Sequence, residues 1–306
     1  MSDNKLLTLC IPTYNRGVHL KEQLIRLSQM PFELWDDITV LVSDNCSTDD
    51  TEAIGEEFAQ SPNCDIHYSR NETNLGMDGN FVKCFKAATS KYVWLLGDDD
   101  YIFTDKLPLI LKVLKETNCG LCHLGRRRNE KEDYTLYNDV ELFIKEIAVN
   151  ITFISSNIVR TDFVGEIDFE KYFGTFLTLV PLYLTAMIKG GNDVMINVPI
   201  FDNPKDKGRN GGYSIAQVFI ENYLSIFKEY ECNGLLSNDL YKYEKKMVFN
   251  FTIPHVVKYV LLNKPSQFKK DDKTWSILYK HYGYTKTIIA TMFGVCKYYG
   301  KEILKR

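Results

Sequence analysis

Tyr92-Val93-Trp94-Leu95-Leu96-Gly97-Asp98-Asp99-Asp100-Tyr101 runs from an uninterrupted apolar segment straight into three consecutive carboxylates. Residues 92–96 are rich in β-formers and lack polar alternation, the pattern of a strand covered on both faces in a parallel sheet. The acids then emerge at the carboxyl end of the strand, the edge at which open α/β sheets collect ligands. Three carboxylates so close repel one another, and an uncompensated set raises its own pKa values. A divalent cation, Mg²⁺ or Mn²⁺, relieves that repulsion when one or two of the acids hold it and substrate phosphates complete its shell. A solvated acidic loop, capping a helix that starts near Thr104, is the other reading of the same residues.

Upstream, strand and helix patterns alternate. Leu6 to Ile11 reads as a first strand that Pro12 terminates; Leu20, Leu24, Leu27 and Met30 recur at helical spacing; Ile38 to Val42 is a second strand ending in Ser43-Asp44. Ser47, Thr48 and Asp49 offer N-caps for a helix to about Gln60, Ile66 to Ser69 is a third strand, and Phe81, Val82, Phe85 and Ala88 mark the buried stripe of a third helix. Strands joined by single helices through short loops make βαβ units, hence an α/β fold with a mostly parallel sheet. Polar groups follow three of the strands: Pro12-Thr13-Tyr14-Asn15-Arg16, Asp44-Asn45, and the triple Asp. Turns favour such residues anyway, but here they fall at carboxyl ends of one sheet.

Bulk properties narrow the class. In 306 residues, 40 acids against 37 bases give a net charge of -3, with no basic field for nucleic acid, so an anionic ligand is bound locally. The first residues lack the charged leader of a signal peptide, and no apolar run reaches the ~20 residues of a membrane span. Eight cysteines then read as reduced thiols, and a cytoplasmic address is expected. Cys119-Gly-Leu-Cys122 with His123 has no second ligand pair, which favours core thiols over a zinc or redox element. Residues 126–133 are densely charged, either an arginine cluster for phosphate or a solvated connector. Ile151 to Ile154 and Val194 to Ile200 read as strands, 176–188 and 214–263 as helical, and the Gly- and Pro-rich segment 203–212 as a loop whose Lys205, Lys207 and Arg209 could close over a diphosphate or simply be solvated. In the tail, 284–306, Ile288, Ile289, Met292, Phe293 and Val295 accompany Lys286, Lys297, Lys301, Lys305 and Arg306. Such a segment rests on an anionic membrane surface or packs on its own domain or a second subunit.

Taken in order, Leu9-Cys10-Ile11-Pro12-Thr13-Tyr14-Asn15-Arg16, Val42-Ser43-Asp44-Asn45-Cys46-Ser47-Thr48-Asp49, Asn74-Leu75-Gly76 and Leu96-Gly97-Asp98-Asp99-Asp100 resemble a family 2 glycosyltransferase of the GT-A fold. The Gly-Asp-Asp-Asp form is most similar to the abequosyltransferase-like branch that builds bacterial surface polysaccharides. The resemblance covers about residues 5 to 125. It implies a nucleotide-sugar-binding half in 1–125, an acceptor-side half in 126–213 and a helical region in 214–306. It also implies that Pro12, Thr13, Tyr14 and Asn15 hold base and ribose, Asp44 the base edge, and Asn74 and Gly76 the nucleotide. Asp98 and Asp99 belong to the same site, and the metal falls to Asp98 and Asp100. Where most relatives read Asp-x-Asp-Asp, Gly97 stands in place of the first acid. A carboxylate at Asp44 accepts from the N3–H of uracil or thymine but meets the N3 of cytosine acceptor to acceptor, which favours a UDP or dTDP donor, with Asn45 able to reverse that preference.

The expected chemistry is inverting transfer of one sugar to a hydroxyl of a saccharide or lipid-linked glycan, with Mn²⁺ or Mg²⁺ stabilising the departing diphosphate and a carboxylate as general base. Family members often carry that base in a Glu-Asp pair, yet Tyr172-Phe173-Gly174-Thr175-Phe176 has no acid in the comparable place. Of the nearby Glu166, Asp168 and Glu170, Asp168 is chosen. The missing pair also supports a rival, a nucleotide-sugar-binding protein without catalysis. A nucleotidyltransferase fits less well, since Pro12 to Gly17 holds one glycine, and a dinucleotide oxidoreductase less still, since no Gly-x-Gly-x-x-Gly follows the first strand.

Overall fold

Four β-rich segments of the first half pair as their pattern dictates. A computed structural model describes residues 5–125, 131–202, 212–265 and 268–303, the side chains of 301–303 excepted. Strands β1 (Leu7–Thr13), β2 (Ile38–Asp44), β3 (Ile66–Arg70) and β4 (Tyr92–Leu95) are joined by helices α1 (Gly17–Ser28), α2 (Thr51–Ala59) and α3 (Gly76–Ala87). Every residue of β1, β2 and β4 is buried. Leu20, Leu24 and Leu27 bring the apolar stripe of α1 into the same core as Leu9, Val40 and Trp94.

Helix α4 (Leu107–Thr117), β5 (Leu121–His123), β6 (Tyr134–Tyr137), α5 (Val140–Ile147), β7 (Asn157–Arg160), α6 (Val180–Lys189) and β8 (Asp193–Ile196) complete an eight-stranded sheet in the order β3-β2-β1-β4-β7-β5-β8-β6. Pairs β1–β2, β1–β4, β2–β3 and β5–β8 are parallel, while β7 runs antiparallel to both β4 and β5 and β6 antiparallel to β8. The chain steps outward from β1 to β3 and returns to the opposite side of β1 as β4. The carboxyl ends of β1 and β4 therefore flank the switch point, where such sheets bind ligands.

Two expectations need correction. Pro12 does not end β1, because pairing with β2 continues through Pro12↔Ser43 and Thr13↔Asp44. The β1–β4 ladder has already stopped at Cys10↔Leu95, so the proline sits where β1 has one partner only and its missing N–H breaks nothing. Residues 151–154 are not a strand but lie in 3₁₀ turns at Ala148–Thr152 and Ile154–Ser156. Here Thr152 Oγ1 donates to Val149 O (2.8 Å), Ser156 Oγ to Phe153 O (2.8 Å) and Asn157 Nδ2 to Ile151 O (2.9 Å), satisfying carbonyls that a ladder would otherwise use. Cys119, Cys122 and His123 are core residues, as their flanks suggest. His123 Nδ1 bonds Asn157 Oδ1 (2.8 Å), and burial lowers its pKa to about 4, so the ring is neutral. All eight cysteines are free thiols.

The chain divides into two compact units, Met1–Gly174 with Thr178–Lys207, and Thr175–Leu177 with Gly208–Arg306. The second is helical: α7 (Tyr223–Cys232), α8 (Asn238–His255), α9 (Thr274–Tyr282) and α10 (Tyr284–Ile303), with π-helical turns at Gln217–Asn222 and Val256–Leu261. Ser237 caps α8 by accepting from Leu240 N (3.1 Å), and Pro254, which cannot donate within the ladder, stands just before the second π turn. Phe219 and Phe251 pack with centroids 4.8 Å apart. Helix α10 buries Thr287 and Thr291 and turns Ile289, Met292, Phe293 and Tyr299 outward. No described helix is long and apolar enough to cross a membrane.

Asp193 fixes the register of the far sheet half by accepting from Leu121 N (2.9 Å). Burial raises its pKa to about 8 against the opposing pull of that bond. An unfolded Asp releases its proton near pH 4, as is typical. The folded chain keeps it, so this group's contribution to stability falls from about pH 4 up through about pH 8. Asp193→Asn retains the acceptor and cannot ionise. Thermal melts at pH 5 and pH 8 should show a smaller drop in Tm for the variant than for the wild type; equal drops would contradict the assignment.

Candidate active site

Beyond the end of the β1–β4 ladder, polar side chains replace backbone pairing. Leu96 N donates to Cys10 O (2.8 Å), and then Thr13 Oγ1 donates to Asp98 Oδ2 (2.8 Å). Arg16, in the loop leading to α1, spans two acids: its Nε donates to Asp98 Oδ1 (2.7 Å) and its Nη2 lies 2.7 Å from Asp99 Oδ2. Asp98 is 5 % exposed. Burial raises its pKa to about 6, with the Arg16 charge and the Thr13 hydroxyl pulling the other way. Much of the repulsion expected within the acid triplet is thus relieved by the chain's own arginine.

Asp100 is drawn to the other side. Its Oδ2 accepts from the Ser155 hydroxyl (2.8 Å), and Ser155 Oγ accepts from Gly97 N (2.9 Å). Trp94 Nε1 donates to Ser155 O (2.7 Å) and pins that turn to β4. A Cβ on residue 97 would lie 2.9 Å from Asp100 Oδ2 and 3.4 Å from Ser155 Oγ. Glycine at position 97 therefore leaves room for Asp100 to fold back onto Ser155.

The end of β2 differs from expectation. Asp44 is fully buried, and its oxygens accept from Ser47 N (3.0 Å), the Ser47 hydroxyl and Tyr68 OH (2.7 Å). Its carboxylate is occupied in ordering the 44–47 turn and offers no open edge to a base, so the base preference read from Asp44 loses its geometric ground. Asn45 is the hub instead. Its Nδ2 donates to Asn74 Oδ1 (2.8 Å) and Gly76 O (3.1 Å), and its Oδ1 accepts from Leu75 N (2.8 Å) and Asn71 Nδ2 (3.0 Å). Gly76 has φ +72, the left-handed region that glycine adopts without cost. Asn15, at φ 52, accepts from Thr48 N (2.7 Å) through Oδ1, and Asn45 N donates to Thr13 O (2.9 Å). The loops after β1, β2 and β3 are stitched together, with Tyr14 43 % exposed beside them.

Pro12, Thr13, Tyr14, Asn15, Asn74, Gly76, Asp98, Asp99 and Asp100 thus share one edge of the sheet. Asp168 is not joined to them by any contact among the described residues. Its side chain is exposed before Phe169, which stacks on Phe85 of α3 at 6.4 Å. Glu166 pairs with Lys189. The loop lacking the expected acid is met by one from α3, since Gly174 N donates to Asp78 Oδ2 (2.7 Å). Arg126 to Arg128 and Lys205, Lys207 and Arg209 lie outside the described residues. Sequence reasoning left two contributors without roles, Arg16, visible as the one cation of its motif, and Ser155, distant in sequence and without a local signal; Asn45 it weighed only for base preference and not as the hub of the turn.

Among the described residues no group of three or more His, Cys, Asp or Glu side chains is arranged to hold a metal ion. Mg²⁺ and Mn²⁺ that act on nucleotides commonly take only one or two carboxylates and draw the rest of their shell from phosphate and water. Asp98 and Asp100 supply two carboxylates at this edge, the number such an ion takes beside a diphosphate, and in this structure they are held by Thr13, Arg16 and Ser155. Gly97→Ala would press on the side-chain end of Asp100 and not on backbone, so little change in Tm is expected. Mn²⁺ affinity in the presence of a nucleoside diphosphate should fall several-fold, measured by titration calorimetry; unchanged affinity would detach the Gly97–Ser155–Asp100 arrangement from cation binding.

The comparisons agree on the family. An abequosyltransferase of Salmonella typhimurium is 35% identical over 193 residues, 56% of this chain and 57% of that protein. A poly(ribitol-phosphate) β-N-acetylglucosaminyltransferase of Staphylococcus aureus, TarS, is 26% identical over 61% of this chain and 29% of its own length. The matched segments therefore span less than two thirds of these relatives. The crystal structure of TarS residues 1–349 with UDP-GlcNAc superposes with a TM-score of 0.64 over 97% of this chain and 92% of that one at 17% identity. A mannosyltransferase of Pyrobaculum calidifontis in complex with GDP-Man and Mn²⁺ gives 0.57 over 94% and 83% at 14% identity. These likenesses establish the GT-A fold, a mostly parallel α/β sheet with a helical C-terminal region. The profile described as glycosyl transferase family 2 matches residues 8–168, more than half of the sequence, and the chain belongs to that family.

Proposed function

We propose that this chain transfers a sugar from a nucleoside-diphosphate sugar to a hydroxyl of a saccharide or lipid-linked glycan in the synthesis of a bacterial surface polysaccharide. The observation that carries the reading is the meeting of Thr13 and Arg16 with Asp98 and Asp99 across the β1–β4 switch point. In this reading Tyr14 stacks on the base, Pro12, Thr13 and Asn15 line base and ribose, and the Asn74–Gly76 turn held by Asn45 borders the nucleotide. A UDP or dTDP donor is preferred; the support is the solved relative with UDP-GlcNAc, no longer Asp44.

Asp98 and Asp100 would hold a divalent cation, Mn²⁺ or Mg²⁺, whose contribution is Lewis-acid stabilisation of the departing diphosphate. The acceptor hydroxyl attacks the anomeric carbon from the face opposite the leaving group, with inversion, and a carboxylate takes its proton. We assign that role to Asp168, exposed and without a cationic partner among the described residues, unlike Glu166. Binding without catalysis is not favoured by membership of a transferase family. The test is a thermal-shift panel of UDP-, dTDP-, GDP- and CDP-sugars with and without Mn²⁺. One base class at a hundredfold its Kd should raise Tm by roughly 5 °C. The rise should be lost in Asp100→Ala and kept in Asp168→Asn, whose kcat should fall by about 10²-fold or more. No shift with any donor would defeat the reading, and an unaltered kcat in Asp168→Asn would move the base elsewhere.

The lipid-linked form of the acceptor is supported by α10. Its outward stripe Ile289, Met292, Phe293 and Tyr299 is apolar, Phe293 being 72 % exposed, and Lys297 and the basic residues of the C-terminal sequence accompany it. That combination suits the headgroup layer of an anionic membrane. Co-sedimentation with phosphatidylglycerol vesicles should drop when Met292 and Phe293 are both changed to Glu; equal recovery would refute membrane docking through this face.

A further inference from the structure

Arg16 is the cation that faces Asp98 and Asp99, and Asp98 is one of the two acids proposed to hold the divalent ion. Its guanidinium reaches both carboxylates at 2.7 Å, and the Asp98 contact lies in a buried setting where Coulomb attraction is poorly screened. Arg16 offsets one of the negative charges of the acid run. A metal ion arriving alone therefore meets a partly neutralised cluster and must displace a guanidinium or share a carboxylate with it. Loss of Arg16 from two charge-assisted contacts needs a replacement anion, and the diphosphate of the donor is one whose oxygens suit the fork of a guanidinium.

We propose that Arg16 is an exchangeable counter-ion, which leaves Asp98 and Asp99 for the donor's diphosphate as the cation reaches the acids. The exchange rests on the proposed nucleotide-sugar site and adds an order to it: cation and nucleoside diphosphate enter together, each supplying the partner that the other's arrival removes. Arg16 is then a binding residue for the diphosphate and a brake on metal uptake by the empty site. A brake of this kind keeps the acids ordered and partly compensated without committing them to an ion in the absence of donor.

The two roles give effects of opposite sign, which a merely structural arginine would not. Mn²⁺ binding to the full chain is followed by the loss of the free-ion electron paramagnetic resonance signal, and UDP, dTDP, GDP and CDP binding at saturating Mn²⁺ by calorimetry. Arg16→Met should bind Mn²⁺ roughly tenfold more tightly than the wild type in the absence of nucleotide, as expected for removing a nearby positive charge. The same variant should bind the nucleoside diphosphate several-fold more weakly. Arg16→Lys, which keeps the charge but cannot span two carboxylates, should fall between the two in Mn²⁺ affinity, and it serves as the test should Arg16→Met not fold. Mn²⁺ binding that is unchanged or weaker in the folded variants overturns the exchange while leaving the functional reading intact. A wild-type chain that binds none of UDP, dTDP, GDP and CDP with Mn²⁺ overturns both.

Discussion

The contact that the rest of the site depends on is the one between Asp98 and the two side chains that reach it from the end of β1, Thr13 and Arg16. The backbone ladder stops at Cys10 and Leu95, so nothing in the sheet itself holds the two strand ends together beyond that point. A buried carboxylate is costly without partners. Arg16 and Thr13 satisfy both oxygens of Asp98, and the crevice keeps its shape without a ligand. The position of the acids then follows from topology, because the chain returns to the far side of β1 as β4 and the acids follow that strand.

A second layer of organisation runs sideways along the edge. Asn45 ties the turn after β2 to Asn74 and Gly76, and Asn15 ties the loop after β1 to Thr48. The helical unit has its own buried polar pair: Tyr223 OH donates to Glu244 Oε2 (2.9 Å), and burial raises that acid's pKa to about 7. It plays no part in the proposed reaction. The loop containing Gly174 is held to α3 through Asp78, so an acid does reach the segment whose own residues lack one.

Much of this was legible in the sequence. Apolar, β-rich runs between helical stripes foretold β1 to β4, and the acids following Leu96 marked the end of β4, where the proposed ligand site lies, because burial on both faces leaves a strand no polar residues until it exits. Less was legible where meaning depends on a distant partner. Asp44 looks like a ligand-facing acid, but Tyr68 and Ser47 occupy it, and Tyr68 stands on a neighbouring strand that local pattern cannot pair. Residues 151–154 have strand-like composition, but the Ser156 hydroxyl takes the Phe153 carbonyl and the Asn157 amide that of Ile151. Ser155 gains its role from Gly97 and Asp100, far away in sequence and adjacent only in the fold.

The measurement that bears most directly on the account is a crystal structure of the chain with an intact nucleoside-diphosphate sugar and Mn²⁺. The account requires the base beside Tyr14, the diphosphate at the β1–β4 gap, and the ion shared between the diphosphate and the carboxylates of Asp98 and Asp100. A nucleotide bound away from that gap, or an ion that touches none of residues 98 to 100, would contradict it.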